Sequence, residues 1–537
     1  MQWITVCALL AGASPLPPEE VLDAEPRRGA QASEADARTA VLFVGDPVAS
    51  EEHRRFVAVA RRIASEVGTP LVSVERDGAA WALAHLEPDV ALVVVPPDLL
   101  DAGLHRGLLL AVRAFDADPF VDAELGYLTA SDPDALAAAW DRSEEVRTNG
   151  PSSKKWIEGF VTSGMASTVY AERIHGLARV AGFHGHGLAF ACVESDPNVL
   201  TFVDERLPDV DGCAVLSLTG NGDPQGVWLF DGRRNLDRSL HRPYAAERVG
   251  DDPDGAMPRI LADRWRERDL AGAIVWSGTC HSAVCERAWV EGDIVSTFGR
   301  VEAPTLHRLE RDESLGLAFL DAGAVALLAP IGANHGMAVD REQRFAFTTG
   351  ESLGAVIKST YDDLVVANGA FPALGVPDGT PANMAAWERE PIMAGGGANR
   401  ILIGDPRLRP FDAVASPTES VRAAWDEQRE RLVVEVAWST GFHAAAWDMY
   451  GTRRDADWRV VARVEVDPQR FPIDARLEVT AFEAAHPESG DPLPYAAARA
   501  LVEHHRGRAF VHLVANAPRE TTAYQGVDAR FEVRVLR

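Results

Sequence analysis

Residues 273–283 read Ala-Ile-Val-Trp-Ser-Gly-Thr-Cys-His-Ser-Ala. Four apolar residues of strand length run into a small-residue turn that carries one thiol, Cys280. A short apolar run without polar alternation predicts a strand buried on both faces, as inside a parallel sheet. Ligands of such sheets bind beyond the carboxyl ends of the strands, so this turn is where chemistry is expected. Two other runs have the same form. Residues 213–218 (CAVLSL) lead to Thr219-Gly220-Asn221-Gly222-Asp223, and 324–328 (AVALL) lead to Ala329-Pro330-Ile331-Gly332-Ala333-Asn334-His335-Gly336. Three strand ends therefore present small residues around one polar or nucleophilic side chain. Gly220, Gly222, Gly278 and Thr279 are the candidate binding-loop residues, because glycine lets backbone and ligand approach closely. The amides beside Cys280 are candidate oxyanion donors.

Outward from this stretch, residues 40–44, 70–74, 90–95 and 188–193 read as further buried strands, and 159–162 as strand-like. Helices are expected at 56–63, where Phe56, Val57, Val59, Ala60 and Ile63 share a face, and over 166–181, 259–268 and 353–367. Strands alternating with helices give an α/β fold with crossover connections. That part closes at Arg400-Ile401-Leu402-Ile403-Gly404-Asp405-Pro406. Past residue 415 the period becomes two: 431–438, 458–466, 477–482, 509–514 and 529–535 read as strands, with one helix at 495–504. This predicts a C-terminal all-β, Ig-like sandwich. The domains expected are a first α/β subdomain over 39–150, a second over 151–412, and the sandwich over 415–537.

The chain has 537 residues, 47% hydrophobic and 25% charged, the composition of a folded multidomain protein. A net charge of −27 argues against a nucleic-acid surface and against a basic membrane patch. Five cysteines, at 7, 192, 213, 280 and 285, do not make a disulfide scaffold. No apolar run of about 18 residues is present to span a bilayer. Residues 3–13 (WITVCALLAGA) are apolar and end in small residues, so 1–13 read as an export signal, although no Lys or Arg precedes them. Residues 14–38 are a Pro- and Glu-rich linker. An exported protein is expected (periplasmic, cell-surface or secreted); the plainer reading is a frayed or mis-started N-terminus. Neither a phosphate-loop nor a dinucleotide fingerprint nor a G-x-S-x-G elbow occurs, and no cofactor is expected.

Together these segments resemble the gingipain-type cysteine peptidases, bacterial relatives of the caspases. The resemblance rests on Asp116-Ala117-Asp118-Pro119-Phe120-Val121-Asp122-Ala123-Glu124-Leu125-Gly126, on 218–228, on 277–283, on Gly350-Glu351-Ser352-Leu353-Gly354-Ala355 and on 401–408. It runs from about residue 40 to 412. It implies a caspase-like parallel-sheet domain in two subdomains, followed by the β-sandwich, and a His/Cys dyad at neighbouring strand ends. The resemblance puts Cys280 at the nucleophile position and Asn221 at the histidine position. Asn has no nitrogen that titrates near neutral pH. An unassisted thiol, with a pKa of about 8.5, is only a few per cent thiolate at pH 7. Loss of the general base typically slows such chemistry ~10²–10⁴-fold. Tyr127 stands where the family usually has Arg.

Other histidines offer alternatives. His335 follows the strand expected beside that of Cys280, on the side away from Asn221; its plainer reading is a loop histidine held by backbone. His281 adjoins Cys280, and neighbours in extended chain point to opposite faces. Gly185-His186-Gly187 repeats the family's Gly-His-Gly string but precedes a strand. Cys280, His281 and Cys285 lack metal-site spacing and a fourth partner, so no metal is expected. A Cys280–Cys285 disulfide would silence the thiol. Cys192 and Cys213 read as buried small hydrophobes, and Gly395-Gly396-Gly397 as a connector. Two functions remain open: an exported cysteine endopeptidase with Cys280 as nucleophile and His335 or another histidine as its base, or a pseudopeptidase that binds a peptide or protein partner in the same cleft. Nothing in the sequence sets an oligomeric state.

Overall fold

Ten strands share one sheet: β1 (Thr39–Val44), β2 (Leu71–Val74), β3 (Val90–Val94), β4 (Glu124–Leu128), β5 (Lys155–Phe160), β6 (His184–Ala189), β7 (Val215–Thr219), β8 (Ile274–Ser277), β9 (Ala326–Pro330) and β10 (Arg400–Gly404). Their spatial order is β2-β1-β3-β4-β10-β9-β8-β7-β5-β6. β1–β4 are parallel to one another, and so are β5–β9. β10 lies between the two sets, antiparallel to β9 and bridged to β4 through Ile403 and Tyr127. The computed structural model describes residues 38–160, 177–189, 205–219, 222–228, 259–285, 287–291, 305–332, 338–368, 397–414, 420–439, 442–443, 458–487, 489–493, 497–516 and 527–536.

Among the described residues the helices are α1 (Glu51–Val67), α2 (Ala79–Leu86), α3 (Ala102–Val112), α4 (Pro133–Asn149), α5 (Ala262–Arg266), α6 (Leu315–Asp321), α7 (Ala338–Thr349) and α8 (Leu353–Asn368). Local chemistry sets several of their ends. The Ser50 side chain caps α1, which stops at Gly68 in the left-handed region (φ 81°). Asp132 caps α4 ahead of Pro133. Every residue of β3, β4, β8, β9 and β10 is buried, which is why β3 and β9 are apolar on both faces. Trp276 of β8 stacks on Phe411, which meets Phe347 and Phe183. This aromatic cluster clamps the strand that leads to Cys280.

The final strands form two antiparallel sheets: β11 (Ser420–Asp426), β12 (Arg431–Ser439), β13 (Phe442–His443), β14 (Trp458–Val466), β15 (Arg476–Ala485), β16 (Ala497–His505), β17 (Arg508–Asn516) and β18 (Val527–Leu536). One sheet is ordered β11-β12-β18-β15, the other β13-β14-β17-β16. Val434, Val436, Val511, Leu513, Phe531 and Val533 lie in the buried cluster of this module. The module packs on the α/β part through side chains rather than a linker alone. His504 N donates to Asp118 Oδ2 (2.8 Å), His512 stacks on Phe120 with ring centroids 4.5 Å apart, and Arg506 pairs with Glu124 at 2.9 Å.

The parallel-dominated α/β sheet followed by antiparallel β sheets is the fold class expected from the sequence. Some elements differ. Residues 495–504 are not a helix: β16 pairs with β17 in register from Ala497–Asn516 to His505–Arg508. Arg506 (φ 52°) and Gly507 (φ 71°) make the tight two-residue turn between them. Residues 259–268 are a short strand, Arg259–Leu261, before α5. β5 and β6 start earlier than expected, so Gly185-His186-Gly187 lies inside the first half of β6. The expected helix over 166–181 is described only from 177 onward, and residues 1–37 lie outside the described residues.

Candidate functional site

β8 is hydrogen-bonded to β7 on one side and β9 on the other, with Trp276 opposite Ser217 and Leu328. The three strand ends singled out in the sequence are thus direct neighbours, with Cys280 in the middle loop. Asn221, Gly220 and His335 fall outside the described residues. The turn after β8 is closed by its own small residues. Gly278 N donates to Leu218 O at 2.7 Å. Thr279 N donates to Ser277 Oγ at 3.2 Å. Ser282 Oγ lies 2.8 Å from Ser277 Oγ and 2.7 Å from Thr279 O. On the β9 side, His281 N donates to Gly332 O and Ala283 N to Pro330 O, both at 2.9 Å. The amides of Gly278, Thr279 and His281 are therefore engaged within the fold.

Gly222 comes into contact with this turn. A Cβ on Gly222 would stand 2.2 Å from Thr279 Cγ2 and 2.4 Å from Gly226 O, so only glycine fits. Asp223 Oδ1 accepts from Gln225 N (2.8 Å) and Gly226 N (3.1 Å) and shapes the adjoining hairpin. From the other flank, Leu315 N at the start of α6 donates to Pro224 O (2.8 Å), while Ser314 Oγ donates to Val284 O (2.7 Å). Gly222, Gly278, Thr279 and Cys280 are thus brought together. Thr279 Oγ1 is buried without a hydrogen-bond partner among the described residues.

Cys280 is 4% exposed. Cys280 and Cys285 are separate thiols, and Cys285 Sγ donates to Ala283 O at 3.5 Å, so the short-range disulfide does not form. His281 adopts φ 57°, a turn rather than extended chain, so alternation does not decide where its ring lies. Burial pushes its imidazole down to about 4, leaving it neutral and weakly basic at pH 7. Cys213 is buried, and burial lifts its thiol to about 12, as expected of an inert small hydrophobe.

Sequence reading missed what lies beneath the turn. Arg400, the first residue of β10, is fully buried. Its Nε and Nη2 donate to Glu342 Oε1 (2.9 Å) and Oε2 (2.5 Å) on α7. Nη2 also donates to Leu328 O (3.2 Å), and Nη1 donates to Ser277 O. From α8, Thr360 Oγ1 donates to Glu342 (3.2 Å) and the Tyr361 hydroxyl donates to Arg400 O (2.6 Å). Tyr127 belongs to the same neighbourhood. Its hydroxyl lies 2.9 Å from His105 Nδ1, and His105 Nε2 lies 3.0 Å from Ala398 O. A carbonyl only accepts, so Nε2 carries the proton and Nδ1 accepts from Tyr127. Burial lowers His105 to about 3, which keeps that arrangement neutral. Tyr127 therefore ties β4 and α3 to the entry of β10.

Among the described residues, one acidic group could hold a metal ion: single carboxylate oxygens of Asp116, Asp118 and Asp122 lie within 4.8 Å of one another. Burial, then Asp116 and Asp118, raises Asp122 to about 8. No described helix is long and apolar enough to cross a membrane.

No protein-family model matches the chain, and no curated protein matches it. Solved structures similar to it include the complex of pro- and mature domains of RgpB from Porphyromonas gingivalis (10% identity, 88% of this chain and 93% of that one, TM-score 0.39). A structure of a protease is similar at 10% identity, over 92% of this chain and 97% of that one, with TM-score 0.38. The separase–securin complex of Saccharomyces cerevisiae is similar at 10% identity over 59% of this chain and 15% of that one, with TM-score 0.29.

Proposed function

We propose that this chain is a gingipain-like cysteine endopeptidase that acts after export on peptide or protein substrates, with Cys280 as the nucleophile. One observation supports this reading above the others: Cys280 follows the middle one of three adjacent parallel strands, β7, β8 and β9. The thiol would attack the scissile carbonyl and form a thioester, which water then hydrolyses. His335, which follows β9 in the sequence, would take the thiol proton and return it to the leaving amine. Asn221, two positions after β7 in the sequence, would hydrogen-bond the substrate or orient that base. A peptide-library cleavage assay under reducing conditions tests the reading. Cleavage should fall to background in Cys280→Ala and ~10²–10⁴-fold in His335→Ala. Cleavage at the wild-type rate by Cys280→Ala would overturn it.

A second reading is favoured by the 4% exposure of Cys280 and by the engaged amides around it. In this reading the chain is a pseudopeptidase that holds a peptide in the same cleft without cutting it. It predicts no cleavage by the wild type and peptide affinity that Cys280→Ala leaves unchanged.

A further inference from the structure

We propose that Arg400, clamped by Glu342, is a positioning residue for Cys280: its guanidinium fixes the end of β8 from which the Cys280 turn departs. The proposal rests on the reading of Cys280 as the functional thiol. The last β8–β9 pair is Trp276 with Leu328, so Ser277 stands one residue past the ladder. Arg400 Nη1 donates to the Ser277 carbonyl at that point, while Nη2 takes the Leu328 carbonyl at 3.2 Å. One guanidinium thus couples the end of β8 to the middle of the adjacent β9.

The reversed direction of β10 makes this geometry available. Because β10 is antiparallel to β9, its first residue, Arg400, lies opposite Pro330, the last residue of β9. Ser277 then passes the restraint into the turn, since its Oγ accepts from Thr279 N and meets Ser282 Oγ, on either side of Cys280. Glu342 lies on α7, which starts at Ala338, three positions after His335. The same ion pair therefore anchors the helix that follows the proposed base in the sequence.

Stability alone does not account for the pair. Both side chains are fully buried, and two apolar side chains of similar volume are commonly at least as stable as a buried ion pair. Only a guanidinium can hold a carboxylate through two bonds and reach two carbonyls at once.

The test is the alkylation rate of Cys280 by iodoacetamide, located by peptide mapping in the full chain from pH 5 to 9, with thermal unfolding recorded alongside. Two variants are compared with wild type. Arg400→Met combined with Glu342→Leu removes both charges and leaves none stranded. Arg400→Lys keeps the charge but cannot span Ser277 and Leu328. In both, Cys280 alkylation is expected to rise at least tenfold, with its pH profile displaced, while the double variant melts within a few degrees of wild type. Where wild type cleaves peptide, kcat should fall at least tenfold with KM nearly unchanged. A folded double variant alkylated within twofold of the wild-type rate overturns the proposal. If that variant fails to fold, the same outcome in Arg400→Lys overturns it. A wild type that cuts no peptide defeats the peptidase reading alone, because the alkylation comparison needs no turnover.

Discussion

Replacing Lys358 by Met should loosen the sandwich from the α/β domain in a way that depends on pH. Lys358 on α8 pairs with Asp362 one turn on (2.7 Å) and with Glu503 of β16; the three side chains are 4%, 5% and 1% exposed. Burial would discharge Lys358, but the two carboxylates hold it charged above the usual lysine range. Burial also pushes Asp362 up to about 7, despite Lys358 beside it. Removing one partner of a buried pair typically costs ~3–5 kcal/mol. The low end applies here, because Glu503 Oε2 keeps His512 at 2.6 Å and Arg463 at 3.2 Å, and Asp362 can take a proton. The expected loss is about 3 kcal/mol at pH 7. Without Lys358, folded Asp362 stays protonated above pH 7, while in the unfolded chain it is ionised. The loss should therefore grow by up to ~1.4 kcal/mol per pH unit above 7 and level off below 6. Urea unfolding of wild type and Lys358→Met at pH 6, 7 and 8 reads this directly. A loss below about 1 kcal/mol at pH 8, or one that does not climb from pH 6 to 8, would refute the reasoning.

Asp122→Asn should stabilise the protein increasingly as pH rises. The folded carboxyl, raised to about 8, binds its proton more tightly than the unfolded one, so its contribution is full below the unfolded pKa and is lost as pH rises through about 8. The melting midpoint of the variant should exceed that of wild type by more at pH 8 than at pH 5, and an equal margin would contradict this. Gly222→Ala should cost ~1–3 kcal/mol by overpacking and speed Cys280 alkylation, since Gly226 O is backbone and cannot yield. Gly507→Ala is the control: it has open space but φ 71°, so it should cost about 1 kcal/mol and leave Cys280 reactivity unchanged.

The adjacency of β7, β8 and β9 was legible because each is an apolar run ending in small residues, a pattern that survives without knowledge of its partners. β4 has no strand signature in the sequence: Glu124-Leu125-Gly126-Tyr127-Leu128 carries a charge, a glycine and a phenol. Each is explained only by distant residues. Ser352 and Arg506 satisfy Glu124. A Cβ on Gly126 would stand 2.4 Å from Pro406. Tyr127 meets His105. β16 reads as helix from sequence because its Ala, Leu and Glu favour helix in the absence of the pairing with β17. The local signal that could have found it is Arg506-Gly507 ahead of an alternating run. Arg400 and Glu342 belong to no motif, and their 58-residue separation hides a contact that only the reversed β10 creates.

The placement of β10 also bears on how the chain is made. β4 ends at Leu128, yet the strand that covers its open side begins at Arg400. At ~5–20 residues per second, a ribosome needs roughly a quarter of a minute to a minute to reach it. Through that interval a strand buried at every position in the finished fold lacks its neighbour, the condition under which nascent chains recruit one another's edges. Expression at low temperature or with holdase chaperones should therefore change soluble yield more than any substitution in the sandwich does.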